Sequence, residues 1–115
     1  MAAIQEAYTF QSAVTTNGDG TAADVSGLPG VTVQVEGIST ASVIFEGTID
    51  KSTWYAILSI NMTSAALATL TAADGLWYIP ATGVEQVRCR ISTYSGGTIT
   101  VTGRAIYNGG FVLAK

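Results

Sequence analysis

The sequence predicts an all-β protein: a single antiparallel β-sandwich, jelly-roll or Ig-like, of eight or nine short strands. Three observations predict it. Apolar and polar residues alternate with period two in one segment after another, the pattern of strands with one buried face. Val, Ile, Thr and aromatic residues dominate these segments, and such side chains suit a pleated surface. Clusters of Gly, Asn and Asp separate them at spacings of about 8–12 residues, as in sandwiches and barrels. The 115 residues make one domain, 1–115. A domain of this size buries roughly two-thirds of the surface its unfolded chain exposes, enough for a core without disulfides or a structural metal.

The elements follow in order. Residues 1–7 are a candidate N-terminal arm. "YTFQSAV" (8–14) is the first strand. "TTNGDGTAADVSGLPG" reads as turns around a short strand at residues 23–26. "VTVQVEG" (31–37) alternates cleanly, with Val31, Val33 and Val35 on one face. "ASVIFEGTI" (41–49) and "TWYAILSIN" (53–61) are more continuously apolar, as strands central to a sandwich are. The turn between them holds Asp50-Lys51-Ser52-Thr53. Asp50 is suited to start that turn by accepting backbone N–H bonds through its side chain, and Trp54 is expected to return the chain to the core. "SAALATLTAAD" (64–74) is ambiguous. Leu67 and Leu70 sit three apart, which permits a helical turn. Thr63, Thr69 and Thr71 favour extended structure and loop, and that is the expectation. "GLWYIPA" (75–81) is a short strand ended by Pro80, whose missing N–H suits a strand end. "VEQVRCRIST" (84–93) and "TITVTGRAIY" (98–107) are expected to pair as a hairpin through "YSGG", where Gly tolerates positive φ. "FVLA" (111–114), within residues 108–115, is a candidate last strand. The expected core comprises Phe45, Trp54, Val87, Cys89, Ile91, Ile99 and Val101.

Charged residues make up 11% of the chain, less than half the usual fraction of about 25%. The surface must therefore be covered largely by Thr, Ser, Ala and Gly, with few charges to oppose association. A homo-oligomer is expected. The net charge of −3 and the five Lys and Arg, with no basic run, give no expectation of nucleic-acid binding. "MAAIQEAYTF" has neither the basic nor the apolar region of a signal peptide. No apolar run approaches the roughly 18 residues of a membrane span. Synthesis in a cytoplasm is expected, with exit by lysis or a dedicated apparatus.

The chain has no His and one Cys. That removes the usual general base, most Ser and Cys triads, and zinc. Cys89 alternates with Val87 and Ile91 and reads as a small buried hydrophobe. "NGDGTAAD" offers Asn17, Asp19, Thr21 and Asp24 as oxygen ligands. A calcium loop needs a carboxylate at its twelfth position, and position 28 is Leu, so a turn is the better reading. Glu36 and Glu46 each precede a Gly and read as strand-end residues rather than a catalytic pair. No cofactor, no metal site and no enzymatic activity are expected. Arg88, Arg90 and Arg104 share an outward phase, with Thr98, Thr100 and Thr102 expected opposite, and are a candidate contact for a carboxylate-bearing partner. Tyr55, Trp77, Tyr78, Tyr94 and Tyr107 are candidate glycan-contacting rings. The competing reading places the Trp rings in the core and the Tyr rings at its margin. In "FEGTIDKSTWYAI" it is open whether Glu46, Asp50 and Trp54 form a site or only hold a hairpin.

Three stretches carry a resemblance. The order "FQSAVTTNGDGTAADVSGLPGVTVQVEG", "VIFEGTIDKSTWYAI" and "VRCRISTYSGGTITVTGRA" resembles small β-sandwich virion structural proteins of tailed bacteriophages. The resemblance covers roughly residues 10–106. Thr48 stands where Ser is frequent in that group and Lys51 where Gly is frequent; a hairpin tolerates both. The group has no catalytic residues to carry over. The resemblance implies a virion structural protein made in the host bacterial cytoplasm: a capsid decoration (cement) protein on the major capsid protein, or a neck or tail accessory protein. It also implies a seat on a particle symmetry axis, hence a trimer as the expected oligomer. The alternative is a carbohydrate-binding or adhesion module for host-surface glycans.

Overall fold

The computed structural model describes residues 4–107. Among them there is no helix, and nine strands run β1 (Ile4–Val14), β2 (Ala23–Asp24), β3 (Gly30–Thr48), β4 (Tyr55–Ala56), β5 (Ser59–Asn61), β6 (Leu67–Ala68), β7 (Leu70–Thr71), β8 (Gly75–Pro80) and β9 (Gln86–Tyr107). All pairings are antiparallel. One hydrogen-bonded sheet runs β1-β9-β3-β8-β5-β6, with β2 on β9 and β4 and β7 on β3. Residues 64–74 hold the short strands β6 and β7 joined by bends and loop, with no helix, as Thr69 and Thr71 suggest. The candidate strand in 108–115 lies outside the described residues. Residues 4–7 of the candidate arm are part of β1 and pair with residues 104–107 of β9.

Two expected boundaries are absent. Residues 31–37 and 41–48 belong to one strand of 19 residues, β3, and residues 86–107 form one strand of 22, β9. "YSGG" is therefore not a hairpin turn. The N-terminal part of β9 pairs with residues 42–48 of β3, and its C-terminal part with residues 32–38. Between them the β3–β9 register shifts at Glu36/Ile38, Ile38/Thr40 and Thr40/Ser42. Both strands bend there, as strands do at bulges. Gly37 and Gly97 have φ values of 86° and 114°. They also touch: a Cβ at Gly97 would collide with the carbonyl oxygen of Gly37, and one at Gly37 with that of Thr98. Glycine is needed at this crossing both for its backbone angle and for the close approach.

The bend curls the sheet over a single core. Phe45, on the C-terminal half of β3, meets Trp77, on the strand flanking the N-terminal half; their ring centroids are 5.1 Å apart. Val31, Val33, Val35, Val43, Phe45, Ile79, Val87, Cys89, Ile91, Ile99 and Val101 are all buried around them. Burial pushes the Cys89 thiol strongly up, so it stays protonated. Trp54 is the exception among the expected core residues: it is only half-buried. Tyr55 pairs with Gly47 and Ala56 with Glu46. That register puts Trp54 on the outer face with Glu46, because side chains alternate along a strand.

The turn before Trp54 is held as expected. One Asp50 oxygen accepts the N–H groups of Ser52 and Thr53, each at 2.8 Å, and the Thr48 hydroxyl at 2.9 Å. The Thr48 hydroxyl oxygen accepts the N–H of Lys51 at 3.0 Å. These bonds hold the carboxyl of Asp50 below the usual carboxylate range. The strand after the turn is shorter than expected. The chain leaves β3 after Ile57 and joins β8 as β5.

Candidate functional site

Glu46 is the most constrained charged residue described. It lies on the outer face of β3, directly opposite Arg88 of β9, and is only 7% exposed. Its Oε1 accepts Arg88 Nε at 2.8 Å. Its Oε2 accepts Arg90 Nε at 3.2 Å and Arg90 Nη2 at 3.1 Å. Arg88 also reaches Asp19 Oδ2 at 3.4 Å, and its guanidinium lies 4.2 Å above the Trp54 ring. Burial raises the Glu46 carboxyl pKa. The hydrogen bonds and charges of Arg90 and Arg88 together outweigh that burial and hold the group below its ordinary range. Glu46 is thus an anion at neutral pH, with no proton to donate.

The arrangement is a clamp. Two carboxylates and two guanidiniums cancel in charge, and they tie the loop before β2 to β3, β9 and the turn at Asp50. The question raised by "FEGTIDKSTWYAI" divides: Asp50 holds the hairpin, while Glu46 and Trp54 anchor arginines. Arg88 and Arg90 are therefore engaged within the chain. Arg104 is not with them. β9 is one strand, so Arg104 lies at its other end, between Thr32 of β3 and Ala7 of β1. Thr98, Thr100 and Thr102 do not lie across from Arg88 and Arg90, because the expected hairpin does not form; Thr102 is two positions before Arg104 on the same strand and pairs with Gln34. Glu36 is likewise remote from Glu46; it is exposed and accepts the side-chain amide of Gln34.

The five aromatic candidates do not form a row. Trp77 is 4% exposed and lies in the core. Tyr55 is 71% exposed at the sheet end beside Ile49. Tyr94 is half-buried at the bend; its hydroxyl donates to Gly97 O and its N–H to Asn17 Oδ1. The Tyr107 side chain lies outside the described residues. Tyr78 stands on the outer face of the other half of the sheet, opposite Thr32. In the loop at 17–24, Asn17 serves Tyr94, Asp19 serves Arg88, and Asp24 accepts the N–H and hydroxyl of Ser26 at 3.0 and 2.8 Å. These are turn and clamp contacts. Among the described residues no three acidic or Cys side chains converge to hold a metal ion.

Sequence reasoning missed three arrangements. Asp19 meets Arg88 across 69 positions of chain. Gly30 makes room for the Tyr78 ring. Thr32 separates Tyr78 from Arg104. None has a local signal, because each depends on which strands become neighbours.

A search of curated proteins finds no match. Two solved structures share the fold. SPBc2 prophage-derived protein YomS is similar with a TM-score of 0.84 at 20% identity, covering 92% of this chain and 96% of that one. PBSX exported protein XepA is similar with a TM-score of 0.86 at 23% identity, covering 92% of this chain and 39% of that one. The chain thus spans about two-fifths of that XepA chain. The family model for XepA matches residues 5–105. With the match running over nearly the whole described sheet, this chain belongs to the XepA family, whose structural neighbours are phage-derived.

Proposed function

We propose that the protein is a virion-associated structural protein of a tailed phage, and within the particle a capsid decoration protein that docks on the major capsid protein as a homo-oligomer. The observation that carries the reading is the fold shared with phage-derived proteins over 92% of the chain. The surface supports it. Among the described residues the large exposed apolar side chains are Ile49, Tyr55, Leu58, Met62, Leu67, Leu70 and Leu76, all from residues 49 to 76. Large apolar side chains left in water favour association. The reading assigns no reaction and no cofactor. Its other arms are a neck or tail accessory role and a trimer as the oligomer. Mass spectrometry of gradient-purified particles tests it. A fixed stoichiometric copy number on heads is expected, and absence from particles refutes it.

A second reading is a phage-encoded protein that acts outside the cell without being part of the particle. One observation favours it: the structural neighbour XepA is described as an exported protein. It predicts the protein in culture fluid and not in particles.

A further inference from the structure

The sequence sets Tyr78 and Arg104 in separate strands and separate roles. The register brings them to either side of Thr32, in one row across β8, β3 and β9. At one strand spacing each, their Cα atoms are about 10 Å apart. The Tyr78 side chain reaches over the start of β3, where position 30 is glycine; a Cβ there would collide with the Tyr78 hydroxyl. Gly30 thereby lets the ring lie low across the sheet as one wall of a hollow. Two hollows of about 390 and 380 Å³ lie on this face, and both are lined by Thr32 and Arg104. They make one shallow groove across β8, β3, β9 and β1, with Arg104 in the middle.

We propose that this groove binds a carboxylate-bearing saccharide of the uronic-acid class, its carboxylate on Arg104 and one sugar ring against Tyr78. The two ends of the groove differ in chemistry. Pro29, Tyr78 and Ala105 supply a mostly apolar end, and at the other end Thr9, Gln34 and Thr102 add polar groups beside Tyr8 and Leu76. A pyranose has the same division, with a C–H face and hydroxyl edges, and aromatic rings and hydroxyl or amide side chains meet these respectively. Arg presents paired donors that match a carboxylate. None of the residues lining the two hollows is acidic. The chain as a whole carries −3, so general attraction of polyanions does not operate and selectivity must come from this local fit. The inference does not rest on the decoration reading; a particle-bound or a free protein would use the same face.

Amide-resolved NMR titration of the whole chain tests it, with trigalacturonate, triglucuronate, methyl-esterified trigalacturonate and inorganic phosphate as probes. One of the two uronates is expected to shift amides at 30–34, 76–78 and 102–105. Esterification and Arg104→Gln are each expected to weaken binding at least tenfold, and Tyr78→Ala about fivefold. Arg104 is exposed, so Arg104→Gln carries the test even where Tyr78→Ala fails to fold. The proposal is overturned by the absence of saturable shifts with both uronates, by phosphate binding as tightly, or by unchanged binding in Arg104→Gln.

Discussion

Glu46→Gln isolates the clamp, because it keeps the side-chain shape and removes only the charge. The variant leaves Arg88 and Arg90 side by side on β9 without their shared anion. Breaking a fully buried pair by removing one partner costs about 3–5 kcal/mol. Here the side chains of Arg88 and Arg90 are 18% and 34% exposed. Arg90 can turn to water, and Arg88 keeps Asp19 and Trp54. The Gln amide oxygen still accepts one of the lost bonds. A loss of about 2 kcal/mol is expected from charge-assisted bonds only partly replaced, which lowers Tm by very roughly 10 °C for a domain of this size. Urea unfolding followed by Trp fluorescence measures it, since one of the two Trp rings lies under Arg88.

The pH dependence supplies the sign. The folded pKa of Glu46 lies below its unfolded value of 4.5. Its contribution is therefore complete above about pH 4.5 and disappears as pH falls through the folded pKa. Wild type and Glu46→Gln should differ most at neutral pH and converge in acid. Asp24 and Asp50 also have lowered pKa values, so both proteins lose some stability in acid; only the difference between them reports on Glu46. A neutral-pH difference below about 0.5 kcal/mol, or a difference that does not shrink in acid, would refute the clamp and leave a solvated surface pair.

Two further outcomes follow from the same geometry. Trp54→Ala should cost about 1–2 kcal/mol in the same unfolding assay: the ring is half-buried and stacked by Arg88, so it loses partial packing and a cation–π contact rather than a core side chain; a loss of 3–5 kcal/mol would mean that the ring is core after all. Gly97→Ala combines a φ of 114° with a collision at Gly37, and should cost more than 3 kcal/mol or prevent folding, whereas Gly83→Ala has a φ of 83° but open space around it and should cost about 1 kcal/mol for the backbone angle alone. Comparable Tm values for these two variants would show that the bend does not need the close approach.

Much of the sheet was legible from alternation. Val31, Val33 and Val35, and Val87, Cys89 and Ile91, declare their inner face in period two, and burial follows that phase. Which face of the 54–57 segment turns inward was not legible. Trp54 and Tyr55 are adjacent, so one must point out, and size suggested Trp54 for the core. The pairing of Tyr55 with Gly47 decides otherwise. Tyr55 has the inward phase but lies at the open end of the sheet, and Trp54 lands beside the arginines. The site residues divided in the same way. Arg88, Arg90 and Arg104 share a phase along one strand, and phase says nothing about distance along it.

The glycine signals show the limit most clearly. A Gly-rich tetrapeptide between two alternating runs is the same local message whether the chain reverses or merely bends. Positive φ at Gly97 serves either case. What separates them is the partner: a hairpin would have paired residues 86–92 with 98–107, whereas here both runs pair with β3, and β3 carries its own glycine at position 37. Two glycines sixty positions apart become one feature only when they touch. That contact fixes where the sheet bends. The bend puts the clamp of Glu46 on the outer face of one half, and the row of Tyr78, Thr32 and Arg104 on the outer face of the other. A straight β3–β9 ladder would have set all three arginines along one continuous face. The curl separates the two arginines that share Glu46 from Arg104, which lies with Thr32 and Tyr78 on the other half, along the groove proposed for the saccharide.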